Sequence, residues 1–181
     1  MAAVTAVGRW LRLDEASWSR YARLGTIWNA VVITLGAYAL LAFDRFGIQG
    51  VTAPRAPVRM LLTGFYGWVG LGLGIWLMAR VKLGTSASPA TVIRLVGRAH
   101  IPLLLVALTI QVLAVSFRVF GPALWLASFS IGVWIPAMLL AATRKALTVD
   151  ARTAALMAIG PYLLWLLIVG RYLELQVGHL L

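Results

Sequence analysis

The chain contains no cysteine and few charged residues. Of its 181 residues, five are acidic and sixteen are basic, so charged residues make up 12% of the total. Without thiols, disulfides, thiolate nucleophiles, cysteine-based zinc sites and iron–sulfur clusters are excluded. Soluble domains carry about a quarter charged residues, so this scarcity argues against a soluble protein. No catalytic, metal-binding or nucleotide-binding motif stands out, and we expect a protein that is not an enzyme and has no cofactor.

Apolar residues make up 62% of the chain, and the mean hydropathy is +0.93. They are gathered in five stretches, each long enough to cross a bilayer, for which about 20 residues are needed. We therefore predict an all-α integral membrane bundle of five transmembrane helices. The predicted spans are residues 24–43, 60–79, 101–117, 123–143 and 153–173, preceded by a segment at 1–23 and followed by a short external tail at 174–181.

Basic residues alternate between rich and poor segments along the chain. The amino-terminal segment, the second connector and the fourth connector hold four, four and three of them, whereas the opposite side holds five. The positive-inside rule then predicts a cytoplasmic amino terminus and an external carboxyl terminus. Because the basic residues are not gathered in one patch, we expect lipid headgroup contacts and no nucleic acid. Arginine far outnumbers lysine, which favours a bacterial origin and hence the inner membrane.

The segment before the first span has apolar residues at helical intervals with arginines between them. This pattern predicts a helix lying in the headgroup layer, and the alternative is a partly ordered tail with aromatic anchors. It has no apolar run of the length that a signal peptide needs, so we expect it to be retained. The apolar positions are Val4, Val7, Trp10, Leu11, Trp18 and Tyr21.

Small and polar residues inside the predicted spans mark candidate contact sites. Gly67, Gly70 and Gly74 lie in the second span, and the last two form a GxxxG pair that lets another helix approach closely. That neighbour is a helix of the same chain, a second copy, or a lipid or ligand in a groove. Asn29 and Gln111 are central carboxamides that need hydrogen-bond partners, in helix contacts or in a substrate site.

No charged residue falls at the centre of a predicted span, which disfavours ion-coupled or proton-coupled transport. Pro136 and Pro161 fall inside the fourth and fifth spans and predict helix kinks. His100 stands at the cytoplasmic start of the third span, where a structural role is expected. The alternative is that its neutral imidazole is an axial ligand of haem or chlorophyll.

From Gly64 onward the order of several features follows a known pattern. A connector at Gly84–Ser86 leads into Val92–Pro102, then comes Trp134, and then a short basic connector at Ala142–Ala154. This order resembles the Yip family of Ypt-interacting membrane proteins, and the resemblance implies five spans with a cytoplasmic amino terminus. Eukaryotic members carry a longer head with an Asp-Leu-Tyr-Gly-Pro motif and bind small GTPases. This chain lacks that head and motif, so GTPase binding is not carried over.

Three functions remain open at this point. The leading one is a non-enzymatic membrane protein that acts through helix packing with lipids, with a second copy or with other membrane proteins, in membrane organisation or complex assembly. The first alternative is a transporter or channel component for a neutral or lipidic solute. The second is an accessory subunit of a pigment or redox complex that uses His100.

Overall fold

The computed structural model describes residues 15–49, 55–110, 112, 125 and 129–170. Within these ranges all regular structure is helical, which confirms the predicted all-α class. Two five-residue π-helical segments lie at Ser130–Trp134 and Leu166–Gly170. The α-helices are α1 (Glu15–Leu24), α2 (Ile27–Gln49), α3 (Arg55–Leu83), α4 (Pro89–Arg98), α5 (Ile101–Ile110), α6 (Ile135–Leu147) and α7 (Ala151–Trp165).

Three helical stretches are long and apolar enough to cross a membrane, namely Leu61–Leu83, Pro89–Thr109 and Ala151–Ile168. A fourth is reached if α1 and α2, which meet at an angle of 114°, count as one bent span. These lengths are compatible with a multi-pass membrane protein. Five spans and the orientation of the termini stay predictions, because residues 1–14, most of 111–128 and 171–181 lie outside the described residues.

The third apolar stretch differs from its predicted position. We predicted that it starts at residue 101, after a basic connector, whereas the apolar helical stretch starts at Pro89 and includes α4 and α5. The side chain of Ser88 accepts a hydrogen bond from the amide of Thr91 (3.2 Å), and Pro89 follows in the first turn, so both residues favour a helix start here. Since Pro102 has no amide hydrogen, it favours the break between the two helices.

Helix α4 lies at the centre of the bundle and packs against α2, α3 and α6. Two tryptophans of α3 bind its backbone and that of the preceding connector. The indole nitrogen of Trp68 donates to the carbonyl of Ile93 (2.8 Å), and that of Trp76 donates to the carbonyl of Ala87 (2.9 Å). A Cβ at Gly72 would lie 2.9 Å from the Cα of Ile93, so a glycine is needed for this close approach.

Helices α6 and α7 form a hairpin with a three-residue connector. Thr148 ends α6 in the left-handed conformation (φ 56°), and its amide bonds to the carbonyl of Arg144. Asp150 caps α7 by accepting a hydrogen bond from the amide of Arg152 (3.1 Å). The predicted kink sites fall at Pro136, in the first turn of α6 after the π-helical segment, and at Pro161, inside α7.

Candidate functional site

An apolar groove of about 650 Å³ lies between α3 and α7. Its volume is within the range of about 300–1,000 Å³ that ligand pockets usually have. Glycine and proline contribute much of its wall, so the backbones of both helices are unusually accessible there. The lining includes Gly67, Gly70, Gly74, Gly160, Pro161 and Trp165.

The two glycines of the GxxxG pair have different surroundings. A Cβ at Gly74 would lie 3.2 Å from the Cβ of Pro161, so Gly74 allows α7 to approach α3. A Cβ at Gly70 would meet no described atom within 4 Å, and the same holds for Gly160 on the facing helix. Gly74 therefore contacts a helix of the same chain. Gly70 leaves an open space, which a larger side chain would fill.

The polarity of the groove changes along α3. Among its described lining residues only Thr63, Tyr66 and Trp165 carry polar side-chain atoms. Thr63 and Tyr66 lie close to the start of the apolar stretch, and Tyr66 is 68% exposed. The opposite end is lined by Leu77 and Met78. The groove therefore has one end with hydroxyl groups and one end that is purely apolar.

The groove lies on the outer side of the helix bundle and is nearly as long as a membrane is thick. From Leu62 to Met78, a rise of about 1.5 Å per residue gives a length of about 24 Å, and a bilayer core is about 30 Å thick. Only 28% of the apolar windows of α3 and α7 is buried, compared with 67% for the Pro89–Thr109 stretch. In a membrane, the opening between such outer helices faces lipid.

His100 lies behind the groove wall, in contact with Trp165. It is fully buried within the Pro89–Thr109 stretch, and its Nδ1 is 3.1 Å from the carbonyl oxygen of Val96. Because a carbonyl only accepts, Nδ1 carries the proton and Nε2 is left as an acceptor. Nε2 has no hydrogen-bond partner among the described residues. Other helices therefore surround the imidazole, and the predicted boundary position of His100 stays a prediction.

Trp165 separates His100 from the groove. The rings of Trp165 and His100 form a T-shaped pair with centres 5.9 Å apart, and the ring of Tyr162 stacks on that of Trp165 at 5.6 Å. Trp165 is 5% exposed, and its indole nitrogen has no described partner either. His100 itself does not line the groove. An axial ligand of haem or chlorophyll must have its nitrogen facing open space, whereas Nε2 of His100 is enclosed.

The amino-terminal helix α1 is held against α4 by Arg94. The two terminal nitrogens of its guanidinium donate to the carbonyls of Gly25 (2.9 Å) and Ala22 (2.8 Å). These carbonyls lie at the end of α1, where the backbone has no helical partners and where a positive charge is favourable. Arg94 therefore caps one helix from another.

Arg98 continues this contact one turn further along α4. Its guanidinium carbon lies 4.4 Å from the ring centre of Trp18 and 5.0 Å from that of Tyr21, which are distances typical of cation–π contacts. Arg98 is 2% exposed and lies inside the apolar stretch Pro89–Thr109, whereas the sequence analysis placed it before the third span. Trp18 and Tyr21 are themselves buried in the bundle, where they cover this charge.

The remaining predicted site residues lie elsewhere. Asn29 is exposed in the first turn of α2 and does not line the groove. Its backbone amide, and not its side chain, donates to the Oγ1 of Thr26 (3.3 Å). Gln111 lies outside the described residues. The structure therefore brings together Gly67, Gly70, Gly74 and Pro161, and it adds Gly160 and Trp165.

Sequence patterns could not have joined the two groove walls, because α3 and α7 are far apart in the chain and periodicity describes only one helix at a time. The signal that was present is a pair of glycine-containing runs, one in each helix, and it does not specify a partner. No protein-family model, no curated protein and no solved structure matches this chain. The resemblance to the Yip family accordingly stays a prediction.

Proposed function

We propose that the protein is a non-enzymatic, multi-pass membrane protein that binds the hydrocarbon chain of a lipidic molecule in the groove between α3 and α7. The observation that carries this proposal is the groove itself, which is apolar, about 650 Å³ in volume and lined by glycines. It joins two of the expected modes of action, packing against lipid and handling a lipidic solute. Catalysis plays no part in it.

A lipid chain suits this space better than a helix does. An α-helix with side chains is about 10 Å or more across, whereas the open space at Gly70 and Gly160 lies between two helices that already touch at Gly74 and Pro161. Since lipid tails are as apolar as leucine, binding within a membrane depends on close van der Waals contact and not on the hydrophobic effect. A smooth glycine surface provides that contact, so shape decides which chains are held.

The proposal extends to location and topology. A cytoplasmic amino terminus, five spans, a bacterial inner membrane and a Yip-like architecture are supported by the distribution of basic residues and by the order of features from Gly84 to Ala154. Because the chain has no cysteine, a single Ser86→Cys substitution in the exposed connector after α3 tests the orientation. A membrane-impermeant maleimide should react with it only after the cells are opened, and reaction in intact cells would reverse the topology.

The groove is tested with a phospholipid that carries a photoreactive diazirine in its acyl chain. In nanodiscs, the wild-type protein should be labelled on α3 and α7, and Gly70→Leu should reduce that labelling several-fold because the new side chain fills the space. Gly132→Leu is the matched control, since a Cβ at Gly132 also meets no described atom within 4 Å but Gly132 does not line the groove.

Three results would count against the proposal. Labelling that Gly70→Leu leaves unchanged would place the lipid elsewhere. A crosslinked dimer that Gly70→Leu abolishes would assign the groove to a second copy. Labelling that appears only after truncation behind Gly170 would assign it to residues 171–181 of the same chain.

A further inference from the structure

The backbone of α7 has a weak point on each side of Trp165. Pro161 has no amide hydrogen, so the carbonyl of Met157, one turn earlier, cannot receive the usual helical hydrogen bond. After Trp165 the chain continues as the π-helical segment Leu166–Gly170. Prolines and π-helical turns are the usual places at which a helix bends. The outer segment, which we define as residues 162–170, is therefore joined to the rest of α7 by a backbone that bends easily.

The neighbouring helix α6 has the same features at the same level of the bundle. Pro136 lies twelve residues before Thr148, where the α6–α7 connector begins, and Pro161 lies eleven residues after Asp150, where it ends. At 1.5 Å per residue, both prolines are about 17 Å from the connector. The π-helical segment Ser130–Trp134 directly precedes α6. Since α6 and α7 pack against each other, the hairpin has one level at which both of its backbones can bend.

The outer segment forms most of the α7 wall of the groove. The described lining on this helix begins next to Pro161 and lies otherwise beyond it, at Gly160, Pro161, Leu164, Trp165 and Ile168. Pro161 itself touches α3, since a Cβ at Gly74 would lie 3.2 Å from the Cβ of Pro161. A Cβ at Gly70 would meet no described atom within 4 Å. A bend at Pro161 would therefore change the width of the groove while the contact at Gly74 remains.

Few side chains hold the outer segment against the bundle. Trp165 packs on His100 through a ring contact, and neither its indole nitrogen nor the Nε2 of His100 has a hydrogen-bond partner among the described residues. A segment with few buried contacts opens at low cost in free energy. Trp165 is therefore a latch whose release breaks no described hydrogen bond of its side chain. The side chains of the outer segment that are 53–68% exposed are Leu163, Leu164, Leu167 and Ile168.

We propose that the outer segment is a movable wall of the groove, which bends at Pro161 and releases Trp165 from His100 when a hydrocarbon chain enters or leaves. In the closed form, which the structure shows, Trp165 packs against His100. In the open form, the outer segment moves away from α3, and the groove opens sideways to the surrounding lipid. This inference rests on the proposed function, because it adds the step by which a lipid chain reaches the groove.

The test measures distances between pairs of spin labels on the full-length protein in nanodiscs, by pulsed electron spin resonance. Because the chain has no cysteine, the labels attach only at introduced cysteines. Val58→Cys on α3 is the common reference, and it is paired with Leu167→Cys in the outer segment or with Leu156→Cys before the hinge. All three side chains are exposed and lie outside the described groove lining. The Leu167 pair should give two distances and the Leu156 pair only one.

Pro161→Ala tests the hinge itself. Alanine restores the amide that bonds to the carbonyl of Met157, and it keeps the Cβ that faces Gly74, so the fold is retained. This variant should remove the longer of the two distances. Pro89→Ala is the matched control, because Pro89 lies in the first turn of α4, where an amide has no helical partner, and both distances should remain.

Entry of the lipid is followed by photolysis at increasing times after a diazirine phospholipid is added to the nanodiscs. Pro161→Ala should slow the labelling of α3 and α7 several-fold, because the wall opens less often. Gly70→Leu should instead lower the labelling at all times, because it fills the groove. Pro89→Ala should be labelled as fast as the wild type.

The outcomes separate this inference from the proposed function. A single distance for the Leu167 pair, or two distances that survive Pro161→Ala, would overturn the movable wall and leave the groove intact if Gly70→Leu still lowers labelling. Two distances for the Leu156 pair as well would mean that α7 shifts as a whole, which also overturns the hinge. If Gly70→Leu leaves labelling unchanged, the proposed function fails, and the role of the wall in lipid entry fails with it.

Discussion

Arg94 should control whether the amino-terminal helix stays docked. Replacing it by methionine keeps an unbranched side chain of similar length but removes both hydrogen bonds to the carbonyls of Ala22 and Gly25. Those carbonyls then have no donor at the end of α1, while the contact of Arg98 with Trp18 and Tyr21 remains. We expect Arg94→Met to weaken the docking of α1 without unfolding the rest of the bundle.

The expected magnitude follows from the two bonds. A hydrogen bond to a charged group contributes about 1.5–3 kcal/mol when it is lost from a protein. Because Arg94 is only half-buried, the lower end of that range applies to each bond, which gives about 3 kcal/mol for the pair. A difference of that size changes the docking equilibrium of α1 by about 100-fold.

Hydrogen exchange of the backbone amides measures this equilibrium directly, since protected amides exchange when the helix opens locally. In nanodiscs, amides of residues 18–24 should exchange about 100-fold faster in Arg94→Met than in the wild type, while amides of α4 and α7 keep their rates. Arg80→Met is the matched control, because the hydrogen bond of Arg80 lies within the connector after α3.

Two results would refute this account. Equal exchange of α1 in the wild type and in Arg94→Met would mean that the two hydrogen bonds contribute nothing to docking. Faster exchange throughout α4 and α7 would mean that Arg94 supports the whole bundle, so the local magnitude derived above would not apply.

Two further predictions concern packing and pH. A Cβ at Gly97 would overlap the Cβ of Ala30 and lie 3.1 Å from its Cα. Gly97→Ala should therefore lower the free energy of unfolding by about 1–3 kcal/mol, because it forces α2 and α4 apart. Thermal unfolding in detergent measures this loss, and Gly132→Ala is the control that should be neutral. Hydrogen bonds from the Thr153 side chain and the Arg152 amide lower the pKa of Asp150. The ionised carboxylate therefore stabilises the fold fully above the pKa of about 3.9 of an unfolded aspartate, and this stabilisation is lost as the pH falls through the lowered pKa. Asp150→Asn keeps a capping side chain but does not titrate, so its thermal midpoint should fall less than that of the wild type upon acidification, and equal falls would contradict the assignment.

Features that depend on a single helix could be predicted from the sequence. Long apolar runs predict α2, α3 and α7 because lipid-facing helices must be apolar along their whole length. It was less informative at the third span, where Arg94 and Arg98 look like the end of a connector. Their charges are stabilised by Gly25, Trp18 and Tyr21, which lie about 70 to 80 residues earlier in the chain, and no local sequence pattern predicts such a contact.

The same limit applies to the candidate site. The GxxxG spacing of Gly70 and Gly74 correctly marks a place of close approach, since Gly74 lies against Pro161. It does not reveal that Gly70, only one turn away, faces open space, because that depends on where α7 ends its contact with α3. The position of Trp165 in the groove was likewise not predicted, since tryptophans in membrane proteins are most often found at the lipid interface.

Arg94 and Arg98 also bear on how the chain enters the membrane during synthesis. At the centre of an isolated helix, each arginine disfavours insertion by about 2.5–3.5 kcal/mol, so the stretch that contains Arg94 and Arg98 would insert poorly by itself. Four residues that contact their guanidiniums lie earlier in the chain, in α1 or the turn that follows it, namely Trp18, Tyr21, Ala22 and Gly25. Because the chain is synthesised from its amino terminus, these groups are made before Arg94 and Arg98. On the proposed topology, the helices can therefore assemble in the order in which they are synthesised.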